Sequence, residues 1–334
     1  YNGNKRLKTI QQEKLNNQMA ELDVATSENN IQESIAQVYI QILYAAESVK
    51  VNENTLQVSI AQRDRGQELL NAGSIAKSDL AQLEAQVSTD RYQLVTAQAT
   101  LEDYKLQLKQ LLELDGENEM NIYLPALSDE NVLAPLPTKR DVYISALSLR
   151  PEIEASKLNV EASELGINIA KSSYFPTISL SAGIGTNHTS GSDFTFGEQV
   201  KNGWNNSIGL SVSVPIFNNR QTKSAVQKAK LQYETSMLSL LDEQKTLYKT
   251  IEGLWLDANS AQQRYAAANE KLKSTQISYE LISEQFNLGM KNTVELLTEK
   301  NNLLQAQQEQ LQAKYMAILN TQLLKFYQGD QLAI

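Results

Sequence analysis

The sequence predicts a mainly α fold with a small β part, built from two structural repeats of long antiparallel helical hairpins. Three observations carry this reading. The chain of 334 residues matches itself without a gap at one offset, 216 positions, which sets Tyr1 on Phe217, Asn2 on Asn218 and Gly73 on Gly289. Two long stretches, from about Leu7 to Leu70 and from about Arg220 to Phe286, contain no proline and place apolar residues at helical spacing. Two short segments instead alternate apolar and small polar residues with period two, as a strand does.

The first helical run carries Ile35, Val38, Tyr39, Ile42 and Ala46 on one stripe. Some 60 residues at about 1.5 Å each would span about 90–100 Å. It stops at "LLNAGSIAKSDLAQLEAQ", where Gly73 suits a left-handed cap and Ser78 or Ser74 suits the start of a second helix running to about Leu114. So short a connection makes the two helices antiparallel. In the second copy, Ile251, Leu254, Trp255 and Ala258 repeat the stripe, "FNLGMKNTVELL" repeats the turn at Gly289, and a return helix reaches about Tyr327.

Between the copies, residues 115–138 hold three of the six prolines and read as irregular structure with one short strand. A helix follows from about Arg140 to Ser173, broken at "LRPEI", where Pro151 opens a fresh helix at its first turn. The organisation expected is a helical hairpin over 1–114, an irregular segment over 115–138 and a helix over 139–174. A β-hairpin over 175–217, a second helical hairpin over 218–327 and a tail over 328–334 complete it.

In "PTISLSAGIG", Ile178, Leu180, Ala182 and Ile184 alternate with Ser, Thr and Gly, and in "SIGLSVSVP", Ile208, Leu210, Val212 and Val214 do the same. The polar faces lack charge. A water-facing sheet usually carries charges, whereas a membrane strand of about ten residues turns apolar side chains to lipid and small polar ones to a lumen. Tyr174, Phe175, Phe194, Phe196 and Trp204 flank the apolar stretches as interfacial aromatics do. The polar loop over 185–206 is too long for a tight turn. One hairpin leaves backbone groups unpaired in hydrocarbon, so several chains must contribute. If the segment ending at Phe217 is a strand that feeds a helix, its twin should end at Tyr1. Four strands in each of three copies then make a barrel of about twelve, above the minimum of about eight.

Composition narrows the function. With no cysteine and one histidine, His188, the chain offers no zinc site of the His/Cys kind, no thiol nucleophile and no triad that avoids His188. No cofactor and no enzymatic chemistry are expected. A net charge of -9 without a Lys/Arg cluster argues against nucleic acid. No apolar run reaches the roughly 18 residues of a membrane-spanning helix. A soluble coiled-coil scaffold or spacer would share the helical periodicity, but it has no use for the alternating hairpin.

The segments "VPIFNNRQ" and "YNGNKRL", the run "SLRPEIEASKLNVEASELGINIAKSSYFPTISLSAG" and the turns "NAGSIAKSDL" and "NLGMKNTVEL" together resemble the TolC-like outer-membrane efflux protein family, in order and over essentially the whole chain. That resemblance implies a homotrimer in the bacterial outer membrane. Its twelve-stranded transmembrane barrel, to which this chain gives one hairpin, continues into a periplasmic tunnel of helices, the trimeric α-barrel. It implies passive conduction of substrates delivered by an inner-membrane pump and a periplasmic adaptor protein, with no preference among drugs, metal ions and polypeptides legible here. An upstream helix and hairpin, on the order of 80–130 residues, are expected before Tyr1.

Carried over by position, the family's gate would fall on Asp79 and Lys291 as an ion pair, Glu295 as an acidic ring, and Ser78, Phe286 and Thr298 around them. Phe286 replaces the family's tyrosine, and Thr298 stands at its second acidic position with Glu299 beside it. The adaptor would meet the tips at Ala72, Gly73, Ser74, Leu288, Gly289 and Met290. The strand residues Ile178 to Ile184 and Ile208 to Val214 on the apolar face would meet outer-membrane lipid.

Overall fold

The structure, a computed structural model, describes residues 1–114, 122–123 and 132–332. Its helices are α1 (Lys5–Asn71), α2 (Lys77–Leu111), α3 (Lys139–Leu149), α4 (Pro151–Lys171), α5 (Phe196–Asn202), α6 (Gln221–Asn287) and α7 (Thr293–Gln328). Strands β1 (Thr177–Gly185) and β2 (Asn205–Ser213) flank α5. Most of the irregular segment expected over 115–138, with its short strand, lies outside the described residues.

The repeat holds residue for residue. Helices α1 and α6 are each 67 residues long, and both ends are offset by 216 positions. Positive φ angles fall at matched positions: Gly3 and Asn219, Asn4 and Arg220, Gly73 and Gly289, Glu113 and Gly329. Each marks a helix boundary, so the same chain reversals are made in both copies despite different side chains. Gly3 lies close against its neighbours, since a Cβ there would lie 2.8 Å from the Ser172 carbonyl oxygen and 2.9 Å from Phe175 Cβ.

Packing divides the chain into two units, one of residues 1–25 and 151–245, the other of residues 26–150 and 246–334. In the first, β1 and β2 pair antiparallel in full register from Thr177 opposite Ser213 to Gly185 opposite Asn205. Tyr1 and Ile178 exchange both backbone hydrogen bonds, each 2.7 Å, and Asn2 bridges Thr177. The start of the chain therefore occupies the edge of β1 that β2 leaves open. Pro151 starts α4 directly after Arg150, whose extended backbone is the conformation a following proline demands. Gln12 of α1 donates to the Ala162 carbonyl at 2.9 Å, and Ser163 of α4 meets Ser236 of α6 at 2.8 Å.

The loop between the strands is not wholly irregular. It contains α5, where Thr195 opens the helix and the Glu198 carboxylate accepts from the Thr195 N–H at 3.0 Å and its hydroxyl at 2.8 Å. The Thr-x-x-Glu spacing is a helix-start signal within the segment expected as a polar loop.

The second unit holds the larger core. Ile40 and Leu43 of α1, Val132, Ala261 and Tyr265 of α6, and Ala313, Tyr315, Ile318 and Leu323 of α7 form one buried cluster. Residues 132–138 are fastened to α6 through backbone carbonyls: Trp255 Nε1 donates to Pro137 at 3.0 Å, and Gln262 donates to Val132 and Ala134 at 2.9 and 2.8 Å. Arg150 is buried, 3.3 Å from Glu33 and stacked 4.3 Å over the Tyr327 ring. The guanidinium thus has an anion and a π face in exchange for water.

Candidate functional site at the helix tips and the strand hairpin

The two turns that join the long helices are built alike. Gly73 and Gly289 both have φ +72, a conformation that costs a residue with a Cβ about 1–2 kcal/mol. Gly73 N–H donates to the Leu70 carbonyl and Ser74 N–H to that of Leu69, at 2.9 and 2.8 Å; Gly289 and Met290 do the same to Phe286 and Gln285 at the same distances. The orphan carbonyls at each helix end are thereby satisfied. Ala72, Gly73, Ser74, Leu288, Gly289 and Met290 are all exposed, Leu288 and Met290 being 74% and 71% accessible.

The return helices are opened by carboxylates, and this differs from the expected caps. Neither Ser74 nor Ser78 caps α2. Its N-cap is Ala76, whose N–H donates to the Asp79 carboxylate at 2.9 Å. At the matching place in α7, Glu295 accepts from the Asn292 N–H at 3.2 Å, while the Asn292 side chain accepts from the Glu295 N–H at 2.9 Å. An Asp or Glu at the third helical position reaches back over the first turn, where the helix dipole also favours its charge.

Asp79, Phe286, Lys291 and Glu295 all line one cavity of about 360 Å³ between the tips, with Leu69, Ile75 and Thr293. Within this chain Lys291 pairs with Glu295, at 2.5 Å, and Asp79 is engaged as the cap of α2. Phe286 is buried against Leu83 and Leu296 rather than facing the cavity mouth. Ser78 and Thr298 are exposed, and the Thr298 hydroxyl turns inward to the Val294 carbonyl at 2.8 Å.

The hydrogen bond from Lys291, then that from the Asn292 N–H, hold the Glu295 carboxyl below its ordinary pKa of 4.5. A depressed carboxylate pKa contributes stability above the unfolded value, and that stability is lost as pH falls through the folded one. Hydrogen-exchange protection of the first turn of α7 should therefore fall below about pH 4.5, and Glu295→Gln should remove the dependence; a pH-independent protection factor would contradict this.

Strands β1 and β2 expose both faces. On the apolar face Leu180 and Leu210, directly opposed, are 75% and 71% accessible, and Ile184, Ile208, Val212 and Val214 are exposed to similar degrees. Ile178 is 41% accessible and Ala182 is exposed. The other face carries Ser179, Ser181, Ser207 and Ser211, with Gly183, Gly185 and Gly209. Fully solvated, such an apolar face would be unfavourable at about 25 cal/mol per Å². Among the described residues no helix is long and apolar enough to cross a membrane.

The outer membrane efflux protein family model matches residues 142–329, from α3 through the strands to the end of α7. The chain belongs to that family. Outer membrane efflux protein BepC of Brucella suis is 24% identical over 294 residues, covering 87% of this chain and 61% of BepC. Outer membrane protein TolC of Escherichia coli is 24% identical over 294 residues, covering 85% of this chain and 58% of TolC. The chain thus spans about three-fifths of the length of the curated relatives it matches. The CmeC outer membrane channel of Campylobacter jejuni superposes with a TM-score of 0.81 at 19% identity, over 99% of this chain and 69% of CmeC. The fold is that of the channels, and membership of the outer membrane efflux proteins assigns the chain to the outer membrane and not to the enzymes.

One charged cluster was missed in the sequence. Lys300 of α7, Asp90 of α2 and Ser59 of α1 are mutually hydrogen-bonded and 3%, 1% and 2% accessible. A signal was present: Lys300 falls between Leu296 and Leu303 on the apolar stripe of α7. What the stripe does not reveal is the partner, which lies 210 residues away.

Proposed function

We propose that the protein is the outer-membrane exit duct of a tripartite efflux or secretion system, a homotrimer that passively conducts what an inner-membrane pump and a periplasmic adaptor deliver. The observation that carries this reading is the exposed apolar face of β1 and β2, with an uncharged opposite face, on a chain of the outer membrane efflux protein family. A scaffold for soluble partners would gain nothing from that face. Purified full-length protein should require detergent, migrate at three times the chain mass and conduct ions in a planar bilayer. A soluble monomer without conductance would overturn the reading.

The helix tips form the gate and the adaptor contact in this proposal. Asp79, Lys291 and Glu295, with Ser78, Phe286 and Thr298 around them, make up the gate; Ala72 to Ser74 and Leu288 to Met290 meet the adaptor. The support is that Asp79, Phe286, Lys291 and Glu295 converge on one cavity and that the six tip residues are exposed. Lys291→Glu would set a second carboxylate against Glu295 where a cation now sits, and like charges at this spacing repel. Single-channel conductance of the full-length variant is expected to rise above that of the parent. Unchanged conductance would remove Lys291 from the gate.

A further inference from the structure

We infer that the Ser59–Asp90–Lys300 cluster is a register lock, which selects α2 as the neighbour of α7 and fixes the axial offset between the two return helices. Lys300 Nζ donates to Ser59 Oγ and to Asp90 Oδ2, Ser59 donates to the same carboxylate oxygen, and Gln86 donates to Asp90 Oδ1 at 2.9 Å. Both carboxylate oxygens are bonded, and the Asp90 and Lys300 side chains are buried. Burial lowers the pKa of Lys300, and the hydrogen bond and charge of Asp90 act against that.

The repeat shows why the cluster distinguishes one hairpin from the other. At the 216-residue offset Lys300 corresponds to Glu84, which is exposed, Asp90 to Ala306, which is buried, and Ser59 to Thr275, which bonds its own helix backbone. Two helices with the same turns and nearly the same length thus differ at the one level where charge is buried. If α7 slid by a turn, about 5.4 Å, Lys300 would leave Asp90, and the carboxylate would keep Ser59 and Gln86 but lose its counter-ion. Nearer the tips, Leu83 of α2 and Leu296 of α7 share an apolar cluster with Phe286 of α6. Apolar surfaces tolerate slippage far better than a hydrogen-bonded ion pair does.

A buried ion pair replaced on both sides by apolar residues often loses no stability, so stability and specificity separate experimentally. Spin labels at Thr89→Cys and Asn302→Cys, both exposed positions in 334 residues that contain no cysteine, report the offset between α2 and α7 in the full-length protein. In assemblies diluted with unlabelled chains, so that pairs within one chain dominate, a single narrow distance is expected with the native cluster. Asp90→Leu with Lys300→Met should keep assembly and melting temperature close to the parent's, yet add a second distance displaced by about one turn, roughly 5 Å. The exchange Asp90→Lys with Lys300→Asp should restore the single distance. The inference is overturned if the doubly apolar chain keeps one distance, or if the exchanged chain fails to recover it. Should the doubly apolar chain not assemble, the exchanged chain alone decides. None of these readouts depends on conduction.

Discussion

Asp90→Leu alone is expected to destabilise the protein by about 3–5 kcal/mol, the cost of leaving a buried charge without its partner. The orphan would be Lys300, 3% accessible, with only the Ser59 hydroxyl left among its bonded partners. Its ammonium would then be bonded to a neutral acceptor, with the carboxylate charge gone and little of its surface in contact with solvent. Lysine deprotonates under such conditions, so the loss should be greatest at low pH, where neutralising Lys300 is hardest. Equilibrium urea unfolding of the full-length protein at two pH values measures both effects. A loss below about 1 kcal/mol would mean that the pair behaves as an exposed one. Adding Lys300→Met to Asp90→Leu should recover most of the loss, because no charge then remains to be buried.

Leu210→Arg is expected to prevent stable insertion. Leu210 stands opposite Leu180 near the middle of the nine-residue strands, with its side chain on the apolar face. Arginine on the lipid face at mid-bilayer costs about 2–4 kcal/mol per chain, a cost paid three times in a trimer. Ser211→Arg, one residue along and on the opposite face, should be tolerated. Heat-modifiable migration of the trimer from outer-membrane fractions compares the two. Equal trimer yield for both substitutions would contradict the assignment of faces, and with it the proposed conduit.

Much of the fold was legible because its local rules are repeated. Periodicity and the two turn glycines placed α1, α2, α6 and α7 to within a few residues of their observed ends, and the ungapped offset predicted that both copies would reverse at the same positions. Strict alternation located β1 and β2. The short helix α5 was not read, since its Thr195–Glu198 start signal sits in a polar segment whose composition favours a loop. The caps of the return helices were read only in part: a serine is a good cap in general, but the helix starts at Lys77, which puts Asp79 at its third position, from which the carboxylate reaches back to the Ala76 N–H.

The tips show where sequence reasoning stops. Carry-over by position named Asp79, Lys291 and Glu295 together, and they do line one cavity. Which carboxylate Lys291 takes could not follow from spacing alone. Lys291 sits in the turn just before the Asn292 cap of α7 and pairs with Glu295 of the first turn at 2.5 Å, while Asp79 is occupied at the start of α2.

By itself, the sequence determined the four long helices and the uncharged alternation of the strands, because these depend on neighbours within about one turn of helix or one strand, and it determined the repeat because the same local pattern is written twice. The tertiary structure alone decided that Tyr1 closes onto Ile178, that Arg150 is sheltered by Glu33 and Tyr327, and that Lys300 meets Asp90. These contacts join residues from about a hundred to more than two hundred positions apart. No periodicity encodes such a pairing, since a charge on an apolar stripe announces that it needs a partner without naming one.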